Sequence, residues 1–304
     1  MCGTDIHLLE GMLLPEGVDY PLRPGHEVSG VVIERGAEAD VALGAHVVLH
    51  PLQPCGVCPA CAGGNEQRCP TGRILGFHDP GGMADEVVWP AGRLVDVGEL
   101  DLEQAALLPD AVATAYHALR VADVPEGGAL SVIGAGGVGT HVLQLARVLV
   151  PDVRLVAVVR SDATAARVGS LGVHVVQDLA GAARRVRAEV GELDAVVDFS
   201  GAPLAASEAV RMLGRGGRLV LGSVVDEPVE LRTTVTGVVT RELQMFGAYS
   251  SSIGDLRAVV DLASSGRLEL SGSVSMVLGL EDMERAFELV ADRPGGMVRL
   301  VLRP

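Results

Sequence analysis

The stretch Leu130-Ser131-Val132-Ile133-Gly134-Ala135-Gly136-Gly137-Val138-Gly139 decides the fold of this 304-residue chain. Its first four residues predict a buried strand, and the residues from Val138 to Val150 predict a helix. In the G-x-G-x-x-G pattern between them, the first glycine permits a tight turn, the second lets the backbone approach a pyrophosphate, and the third lets helix and strand pack closely. We therefore predict a dinucleotide site, with a generic glycine turn as the alternative. The residues expected at the dinucleotide are Gly134, Gly136, Gly137, Val138 and Gly139.

Strand and helix patterns alternate around this stretch. Four apolar runs predict strands that are buried on both faces, and helical runs follow them. The predicted strands are Leu130–Ile133, Leu155–Val159, Ala195–Phe199 and Leu219–Leu221, and the predicted helices are Val138–Val150, Ala163–Leu171, Ala180–Val190 and Pro203–Leu213. We therefore predict an α/β fold with a doubly wound parallel sheet of the Rossmann type.

The regions on either side differ from this alternating part. The first hundred residues hold Gly, Pro and short valine-rich stretches such as Val28–Ile33 without sustained helical periodicity, which predicts a β-rich domain of short strands. A helix is predicted over residues 110–119, with Asp110 at its N-cap. Beyond residue 250, a helical stretch (Ile253–Ser264) and a final strand (Met297–Leu302) are too small to form their own core, so we expect them to pack on a neighbouring domain.

Charge and hydropathy exclude several classes of protein. Lys and Arg number 24 and Asp and Glu number 39, a net charge of −15 that repels nucleic acid and anionic membranes. Hydrophobic residues make up 48% of the chain, yet no apolar run reaches the roughly 18 residues that cross a bilayer. The first residues carry no basic or apolar targeting pattern. We therefore expect a cytoplasmic protein that binds neither nucleic acid nor membranes.

Four of the five cysteines lie close together, as Cys55-x2-Cys58-x2-Cys61-x7-Cys69. Four thiolates in a loop can wrap tetrahedrally about one zinc ion, at about 2.3 Å per bond. A zinc site whose four positions are all filled by protein leaves no place for water and is structural. We therefore predict a structural zinc in a lobe over residues 53–71, with an iron–sulfur cluster or unligated thiols as alternatives.

The strand that follows the glycine loop bears on which dinucleotide binds. An acid near its end binds the ribose hydroxyls of NAD, whereas a missing acid with a nearby cation suits the phosphate of NADP. Val159 stands at the expected position and Arg160 follows, which favours NADP with Arg160 at the cofactor. Asp162 keeps NAD open, and Arg160 is also compatible with a solvated position at the start of a helix.

Several motifs occur together in one order. The chain begins with Cys2-Gly3-Thr4-Asp5-Ile6-His7, continues with Gly25-His26-Glu27-Val28-Ser29-Gly30, and then carries the four-cysteine lobe and the glycine loop. In this combination essentially the whole chain resembles the zinc-dependent medium-chain alcohol dehydrogenases. The resemblance implies a GroES-like catalytic domain, a second and catalytic zinc, and hydride transfer between NAD(P)+ and an alcohol, either a secondary alcohol or a polyol.

The resemblance also implies roles for individual residues. Three scattered residues would hold the catalytic zinc: Cys2, His26 and Asp110. Taken singly, each residue has another interpretation. Cys2 could be a thiol near the terminus, His26 a hydrogen-bonded histidine in a loop, and Asp110 a helix N-cap. Asp5 would orient His26, and Glu27 would be an occasional zinc ligand. Thr4 and His7 would form the proton relay, and Arg299 would contact the pyrophosphate or, alternatively, be a surface cation.

The start of the chain departs from the family pattern, because family members carry further strands before the motif that contains Cys2. We therefore expect an N-terminally shortened chain.

The predicted division is a GroES-like domain over 1–111, a Rossmann domain over 112–250, and a return to the catalytic domain over 251–304. The alternative function is a non-catalytic remnant that binds zinc and dinucleotide. The expected partners are a small alcohol or carbonyl compound and further copies of the chain, in a homodimer or homotetramer.

Overall fold

The computed structural model describes residues 1–11, 14–15, 17–226, 228–292 and 296–304. The chain divides into two compact units. The N-terminal unit comprises Met1–Thr114 and Ser250–Pro304, and the central unit comprises Ala115–Tyr249.

Short helices and strands dominate the N-terminal unit, and longer ones the central unit. The helices are α1 Gly3–Leu9, α2 Pro59–Ala62, α3 Leu102–Ala105, α4 Ala113–Ala122, α5 Gly137–Leu149, α6 Asp162–Ser170, α7 Ala182–Glu189, α8 Ala205–Met212, α9 Val235–Val239, α10 Ile253–Ser264 and α11 Met283–Asp292. The strands are β1 Val28–Val31, β2 His46–Leu49, β3 Leu52–Gln53, β4 Arg73–Ile74, β5 Leu94–Asp96, β6 Ala129–Ile133, β7 Arg154–Val159, β8 His174–Gln177, β9 Leu193–Asp198, β10 Leu213–Leu221, β11 Gln244–Gly247, β12 Val274–Gly279 and β13 Arg299–Arg303. Among the described helices, none has the length and apolar character needed to cross a membrane.

The central unit is built on a six-stranded parallel sheet in the order β11-β10-β9-β6-β7-β8. The five residues of β6 are all buried, because helices cover both faces of a doubly wound sheet. The order reverses between β6 and β9, where Ile133 is paired with Asp198. The predicted α/β class with a doubly wound sheet is confirmed, and the glycine loop leaves the sheet at this reversal.

Two strands of this sheet were not predicted, β8 and β11. Each has four residues and lies at an edge of the sheet. Edge strands are partly exposed and carry polar residues, so they lack the continuous apolar run by which the inner strands are recognised. The four predicted helices of this unit begin and end within two residues of α5, α6, α7 and α8.

The N-terminal unit contains a three-stranded antiparallel sheet in the order β1-β2-β5. Its core is formed by Val47, Leu49 and Leu75, against which Trp89 packs. Two smaller sheets, β3-β4 and the parallel pair β12-β13, complete the strands described here. The prediction of a β-rich, GroES-like domain is confirmed.

Two predictions for the N-terminal unit were wrong in detail. Helix α1 lies in a region where no helix was expected; it is stabilised at its start by Asp5, whose Oδ2 accepts a hydrogen bond of 2.8 Å from the Cys2 amide. Asp110 is not a helix N-cap. Residues Leu108–Val112 form one π-helical turn, in which the Val112 amide donates to the Leu107 carbonyl at 3.1 Å. Asp110 therefore has a helical backbone, and its carboxylate is available for other contacts.

The C-terminal part of the chain contains more structure than predicted. Helix α10 has the predicted bounds, and β13 lies two residues later at its start than the predicted strand. Strand β12 and helix α11 were not predicted. Contacts of Ala286, Val290 and Leu300 form a small cluster to which Ile6 of α1 belongs, so this segment shares its core with the N-terminal unit.

Candidate functional site

The four cysteines of the lobe converge on one point. Their sulfur atoms all lie within 4.8 Å of one another, with 3.4 Å between the sulfurs of Cys58 and Cys61 and 3.9 Å between those of Cys55 and Cys61. Two ligand atoms on a tetrahedral zinc ion lie roughly 3.3–3.8 Å apart when the bonds are about 2.0–2.3 Å long. The cluster therefore has the dimensions of a zinc site.

Backbone amides already favour thiolate at part of this cluster. The amides of Val57 and Cys58 lower the pKa of Cys55 to about 6. Burial and the neighbouring Cys58 thiol raise the pKa of Cys61 to about 12. Without a cation, four crowded sulfurs cannot all be deprotonated, and a bound metal ion supplies the missing charge.

A second cluster lies in the N-terminal unit and joins three residues from distant parts of the sequence. Ligand atoms of Cys2, His26 and Asp110 lie within 4.8 Å of one another, and His26 Nε2 is 3.7 Å from Asp110 Oδ2. Cys2 precedes α1, His26 precedes β1, and Asp110 lies in the π-helical turn. The structure thus brings together the three residues predicted for the catalytic metal.

Glycine is required directly before His26. Gly25 has φ +105°, and a Cβ atom there would lie 2.6 Å from the Met83 amide nitrogen. A side chain at position 25 would move the backbone that carries His26, because the clash is with backbone and φ is in the region that favours glycine. This geometry explains the Gly25-His26 pair in the sequence.

The donor set fits a zinc ion with an open position. One sulfur, one imidazole nitrogen and one carboxylate oxygen are three ligands of the kinds zinc accepts, and catalytic zinc sites keep the fourth position for substrate. His26 Nδ1, on the other side of the ring, is 3.6 Å from Asp5 Oδ1. Both of these atoms are buried without a hydrogen bond, and a shift of a few tenths of an ångström would join them. Asp5 thus lies where a carboxylate orients a metal-bound histidine.

The charges at this cluster are consistent with a cation site. Burial opposes a charged imidazole, but the carboxylates of Asp5 and Asp110 together raise the pKa of His26 well above its usual range. Burial likewise opposes a charged Asp110, but His26 lowers the pKa of Asp110 well below its usual range. The two carboxylates thus favour a positive charge between them, as at a cation site.

Glu27 and Arg299 form a buried ion pair in the same unit. Glu27 Oε2 is 3.3 Å from Arg299 Nη1 and 3.2 Å from the Met1 amino group, and Arg299 also donates to the Met1 carbonyl at 3.0 Å. The neighbouring Glu27 raises the pKa of Arg299, against the effect of burial. Arg299 is 4% exposed, so it is not a surface cation.

The two residues predicted for the proton relay share helix α1. Thr4 Oγ1 lies 3.5 Å from Cys2 Sγ, so the hydroxyl is adjacent to the second metal cluster. His7 follows one helical turn later, and residues three apart lie on the same face of a helix. Both side chains are partly exposed. Thr4 and His7 therefore lie on one face of α1, and their role as a proton relay stays a prediction.

The glycine loop of the central unit has the geometry of a close approach. Gly134 has φ +84°, and a Cβ atom there would lie 2.8 Å from the Ser200 amide nitrogen. A Cβ atom on Gly139 would lie 2.2 Å from the Gly134 carbonyl oxygen, whereas one on Gly136 would meet nothing within 4 Å. The first and third glycines are thus required by packing, and the second leaves open space. Gly137 and Val138 form the first turn of α5.

The residues after β7 differ in exposure and in their hydrogen bonds. Val159 is buried and Arg160 is exposed. Ser161 caps α6 by accepting a hydrogen bond of 3.2 Å from the Thr164 amide. Asp162 accepts a hydrogen bond of 2.6 Å from Gln177 Nε2. Arg160 is available to a ligand, while Asp162 already has a protein partner.

Comparisons with known proteins identify the family of this chain. Residues 1–99 match the family model described as "Alcohol dehydrogenase GroES-like domain", and residues 137–265 match that described as "Zinc-binding dehydrogenase". D-xylulose reductase A of Aspergillus oryzae is 30% identical over 95% of this chain and 83% of its own length. The chain belongs to the zinc-dependent medium-chain alcohol dehydrogenase family. It is a zinc-dependent oxidoreductase of alcohols, as predicted.

Solved structures similar to this alcohol dehydrogenase cover its whole length. An alcohol dehydrogenase of Thermus sp. ATN1 aligns with a TM-score of 0.88 and 29% identity, over 100% of this chain and 90% of that one. A zinc-binding dehydrogenase of Sinorhizobium meliloti bound to NADP aligns with a TM-score of 0.88 and 26% identity, over 100% of this chain and 89% of that one.

Two residues of this alcohol dehydrogenase lie beside the second metal cluster and were not predicted. Thr114 Oγ1 donates a hydrogen bond of 3.1 Å to Asp110 Oδ1. The spacing of four residues in a predicted helix was a usable signal for this contact. The Phe77 ring lies 6.1 Å from the His26 ring, at an interplanar angle of 51°. No local pattern in the sequence indicates that contact, because residues 26 and 77 meet only through the fold.

Proposed function

We propose that this chain transfers hydride between a secondary alcohol or polyol and NAD(P)+, with its catalytic zinc held by Cys2, His26 and Asp110. The observation that carries the proposal is the convergence of these three side chains in one partly buried cluster of zinc-binding dimensions. Three protein ligands leave one position for the substrate oxygen. When bound, zinc supplies Lewis acidity to that oxygen, and the nicotinamide accepts or donates hydride.

The chain's own residues would handle the proton. The Thr4 hydroxyl, adjacent to Cys2, is suited to accept a proton from the substrate hydroxyl, and His7 is suited to pass it towards solvent. Asp5 Oδ1, 3.6 Å from His26 Nδ1, would orient His26 through its second ring nitrogen. Glu27 is held by Arg299, so its service as an occasional ligand would require that ion pair to open.

The second zinc belongs to the lobe. The ligands are Cys55, Cys58, Cys61 and Cys69. The side chains of the lobe are mostly exposed, so the segment has little apolar core of its own, and a metal ion would supply the stability it lacks. The proposed total is two zinc ions per chain.

For the cofactor, we favour NADP. The arrangement that supports this choice is a buried Val159 in place of an acid, followed by an exposed Arg160. The zinc-binding dehydrogenase of Sinorhizobium meliloti was crystallised with NADP, which is compatible with this choice. The glycine loop would hold the pyrophosphate through Gly134, Gly136, Gly137, Val138 and Gly139. We retain Arg299 as a pyrophosphate ligand only on the basis of the family resemblance, since its described partners are Glu27 and Met1.

Zinc stoichiometry and oxidation of NADPH and NADH by the 304-residue chain test the proposal together. The protein would be assayed with a panel of small ketones, ketoses and aldehydes. We expect two zinc ions per chain and activity that is faster with NADPH at equal concentration. One zinc per chain, with no turnover of any alcohol or carbonyl compound, would instead support the non-catalytic remnant.

A matched pair of variants connects activity to the catalytic cluster. Cys2→Ser should release one zinc and abolish turnover, whereas Ala37→Ser, at an exposed residue of the N-terminal unit outside both clusters, should retain two zinc ions and full activity. Turnover that survives in Cys2→Ser would contradict the proposed ligand set.

A further inference from the structure

Two polar side chains bond to the carbonyl groups of the glycine loop. Arg167 of α6 donates from Nη2 to the Ala135 carbonyl at 2.7 Å and from Nη1 to Thr140 Oγ1 at 3.0 Å. Thr140 of α5 lies with its Oγ1 2.6 Å from the Gly136 carbonyl oxygen and 3.0 Å from that of Ala135. Thr140 is 2% exposed. These contacts connect the loop to the helix that follows β7.

The hydrogen bonds form one consistent set. A hydroxyl group has a single proton to donate and lone pairs with which to accept. Thr140 can therefore accept from Arg167 and donate its own proton to the Gly136 carbonyl, the shorter of its two contacts. The Ala135 carbonyl is then filled by the Arg167 guanidinium. The Gly136 carbonyl also accepts a hydrogen bond of 3.1 Å from the Thr140 amide. Both carbonyl groups in the middle of the loop are therefore held in fixed directions, that of Ala135 by a charged donor, which makes the stronger kind of hydrogen bond.

Fixing a carbonyl also fixes the amide of the next residue. In a planar trans peptide, C=O and N–H point in opposite directions. With the Ala135 and Gly136 carbonyls directed at Arg167 and Thr140, the amides of Gly136 and Gly137 are directed away from those two side chains. These amides lie at the N-terminus of α5, where the first N–H groups have no partner within the helix. Gly136 and Gly137 are both partly exposed.

We propose that Arg167 and Thr140 are positioning residues for the cofactor, which hold the amides of the glycine loop in the orientation that binds a pyrophosphate. The inference rests on the proposed dinucleotide site. Neither side chain has to touch the cofactor, because each acts through the loop carbonyls. A loop ordered in advance binds more tightly, since less conformational entropy is lost on binding.

Binding titrations with isosteric variants test this proposal. Thr140→Val keeps the shape of the side chain and removes the hydroxyl, whereas Thr140→Ser keeps the hydroxyl. We expect Thr140→Val to raise the Kd and the KM for the preferred nicotinamide cofactor about tenfold, while kcat and Tm stay close to those of the unaltered chain. Thr140→Ser should bind within about twofold of the unaltered chain.

Arg167→Met should have an effect similar to that of Thr140→Val, and the double variant should show less than the sum of the two, because both changes disrupt one network. Arg184→Met, which removes an exposed cation of the same unit, is the control for net charge and should bind the cofactor normally. Equal cofactor affinity in folded Thr140→Val and in the unaltered chain would overturn the proposal. If Arg167→Met does not fold, the Thr140 pair decides.

Hydrogen exchange of the cofactor-free protein separates this proposal from the proposed function. We expect faster exchange at residues 135–138 in Thr140→Val than in Thr140→Ser. If the unaltered chain binds neither NAD(H) nor NADP(H), the dinucleotide function itself is wrong, and the proposal falls with it. If the unaltered chain binds and Thr140→Val binds equally well with unchanged exchange, only the positioning role is wrong.

Discussion

Asp110 contributes the carboxylate oxygen of the second metal cluster. It faces His26 at 3.7 Å and accepts a hydrogen bond from Thr114. Its position in a π-helical turn directs it differently from an N-cap residue, and such turns recur at functional sites. The same side chain thus has a local hydrogen bond and a long-range partner.

Asp110→Asn should lower turnover at least about 100-fold, because an amide is a much poorer zinc ligand than a carboxylate. Zinc content should fall from two ions per chain towards one. Metal analysis and steady-state kinetics check this, with Asp152→Asn, an exposed carboxylate in a turn, as the matched control. Two retained zinc ions with normal turnover would remove Asp110 from the ligand set.

His50 should make stability depend on pH. It is fully buried, its Nε2 is 3.1 Å from the Ser251 carbonyl, and its Nδ1 is 2.7 Å from Arg93 Nη2. Burial, aided by the Arg93 charge, lowers the pKa of His50 to about 4. Below pH about 6.5 the unfolded chain binds a proton at this residue that the folded chain does not bind, so stability falls as the pH falls from about 6.5 to 4.

Urea unfolding of the unaltered chain and of His50→Gln between pH 7.5 and 4 checks this prediction. At pH 7.5 we expect the variant to be less stable, since it loses the hydrogen bond to Ser251. The difference in the free energy of unfolding should shrink as the pH falls, by up to about 1.4 kcal/mol per pH unit. A difference that stays constant over this range would show that His50 is protonated equally in both states.

At the scale of elements, we expect two glycines of the glycine loop to have different roles. Gly139 is needed for packing, and Gly136 for binding the cofactor. Gly139→Ala should lower the free energy of unfolding by about 1–3 kcal/mol, because its Cβ would clash with the Gly134 carbonyl. Gly136→Ala should fold normally, since its Cβ meets nothing within 4 Å. It should nevertheless weaken cofactor binding about tenfold or more, because the methyl group occupies the space of the pyrophosphate. Thermal melts and cofactor titrations check both variants, and normal cofactor binding by Gly136→Ala would move the pyrophosphate elsewhere.

The four-cysteine lobe should depend on its bound metal ion for an ordered structure. Cys58→Ser should lose one zinc ion and raise the rate of proteolytic cleavage within residues 53–71 about tenfold or more, because the segment has few buried apolar contacts to order it. Ala62→Ser, in the short helix α2 that follows Cys58, is the control and should resist cleavage like the unaltered chain. Equal protection of Cys58→Ser would mean that the lobe is ordered without metal. Mass spectrometry of the fragments locates the cuts.

At the scale of the whole molecule, the central unit has a segment rich in exposed apolar side chains. The exposed fractions include 61% for Val224, 54% for Val229, 81% for Val235 and 53% for Met245. The last of these lies in β11, an edge strand of the parallel sheet. A segment with several exposed apolar side chains is a candidate association surface, and we propose that the expected homodimer or homotetramer forms through it.

Analytical ultracentrifugation tests the association. The unaltered chain should sediment as a dimer or tetramer. Val235→Asp should shift the chain towards the monomer, and a cooperative thermal melt of this variant would show that the monomer is folded. Val57→Asp, at a residue that is 86% exposed on the lobe, should leave the assembly unchanged. Monomeric sedimentation of the unaltered chain would contradict the proposed assembly.

The sequence by itself determined the class of fold. Four inner strands and their helices could be read from apolar runs, because a parallel sheet covered on both faces requires continuous apolar strands. The glycine loop and the four-cysteine lobe were equally readable, since each is a local pattern whose chemistry depends on short spacing. Edge strands and helix α1 could not be read in this way, because partial exposure removes the apolar signal.

Only the tertiary structure decided which distant residues meet. Cys2, His26 and Asp110 each have an ordinary explanation in the sequence, and their convergence depends on the positions of α1, β1 and the π-helical turn. Two other contacts likewise depend on the tertiary structure: the buried ion pair of Glu27 and Arg299, and the hydrogen bonds from Arg167 to the glycine loop. The spacing of nearby residues determines the chemistry of a local motif. A site whose residues lie more than a hundred positions apart is instead determined by the packing of the helices and strands that carry them.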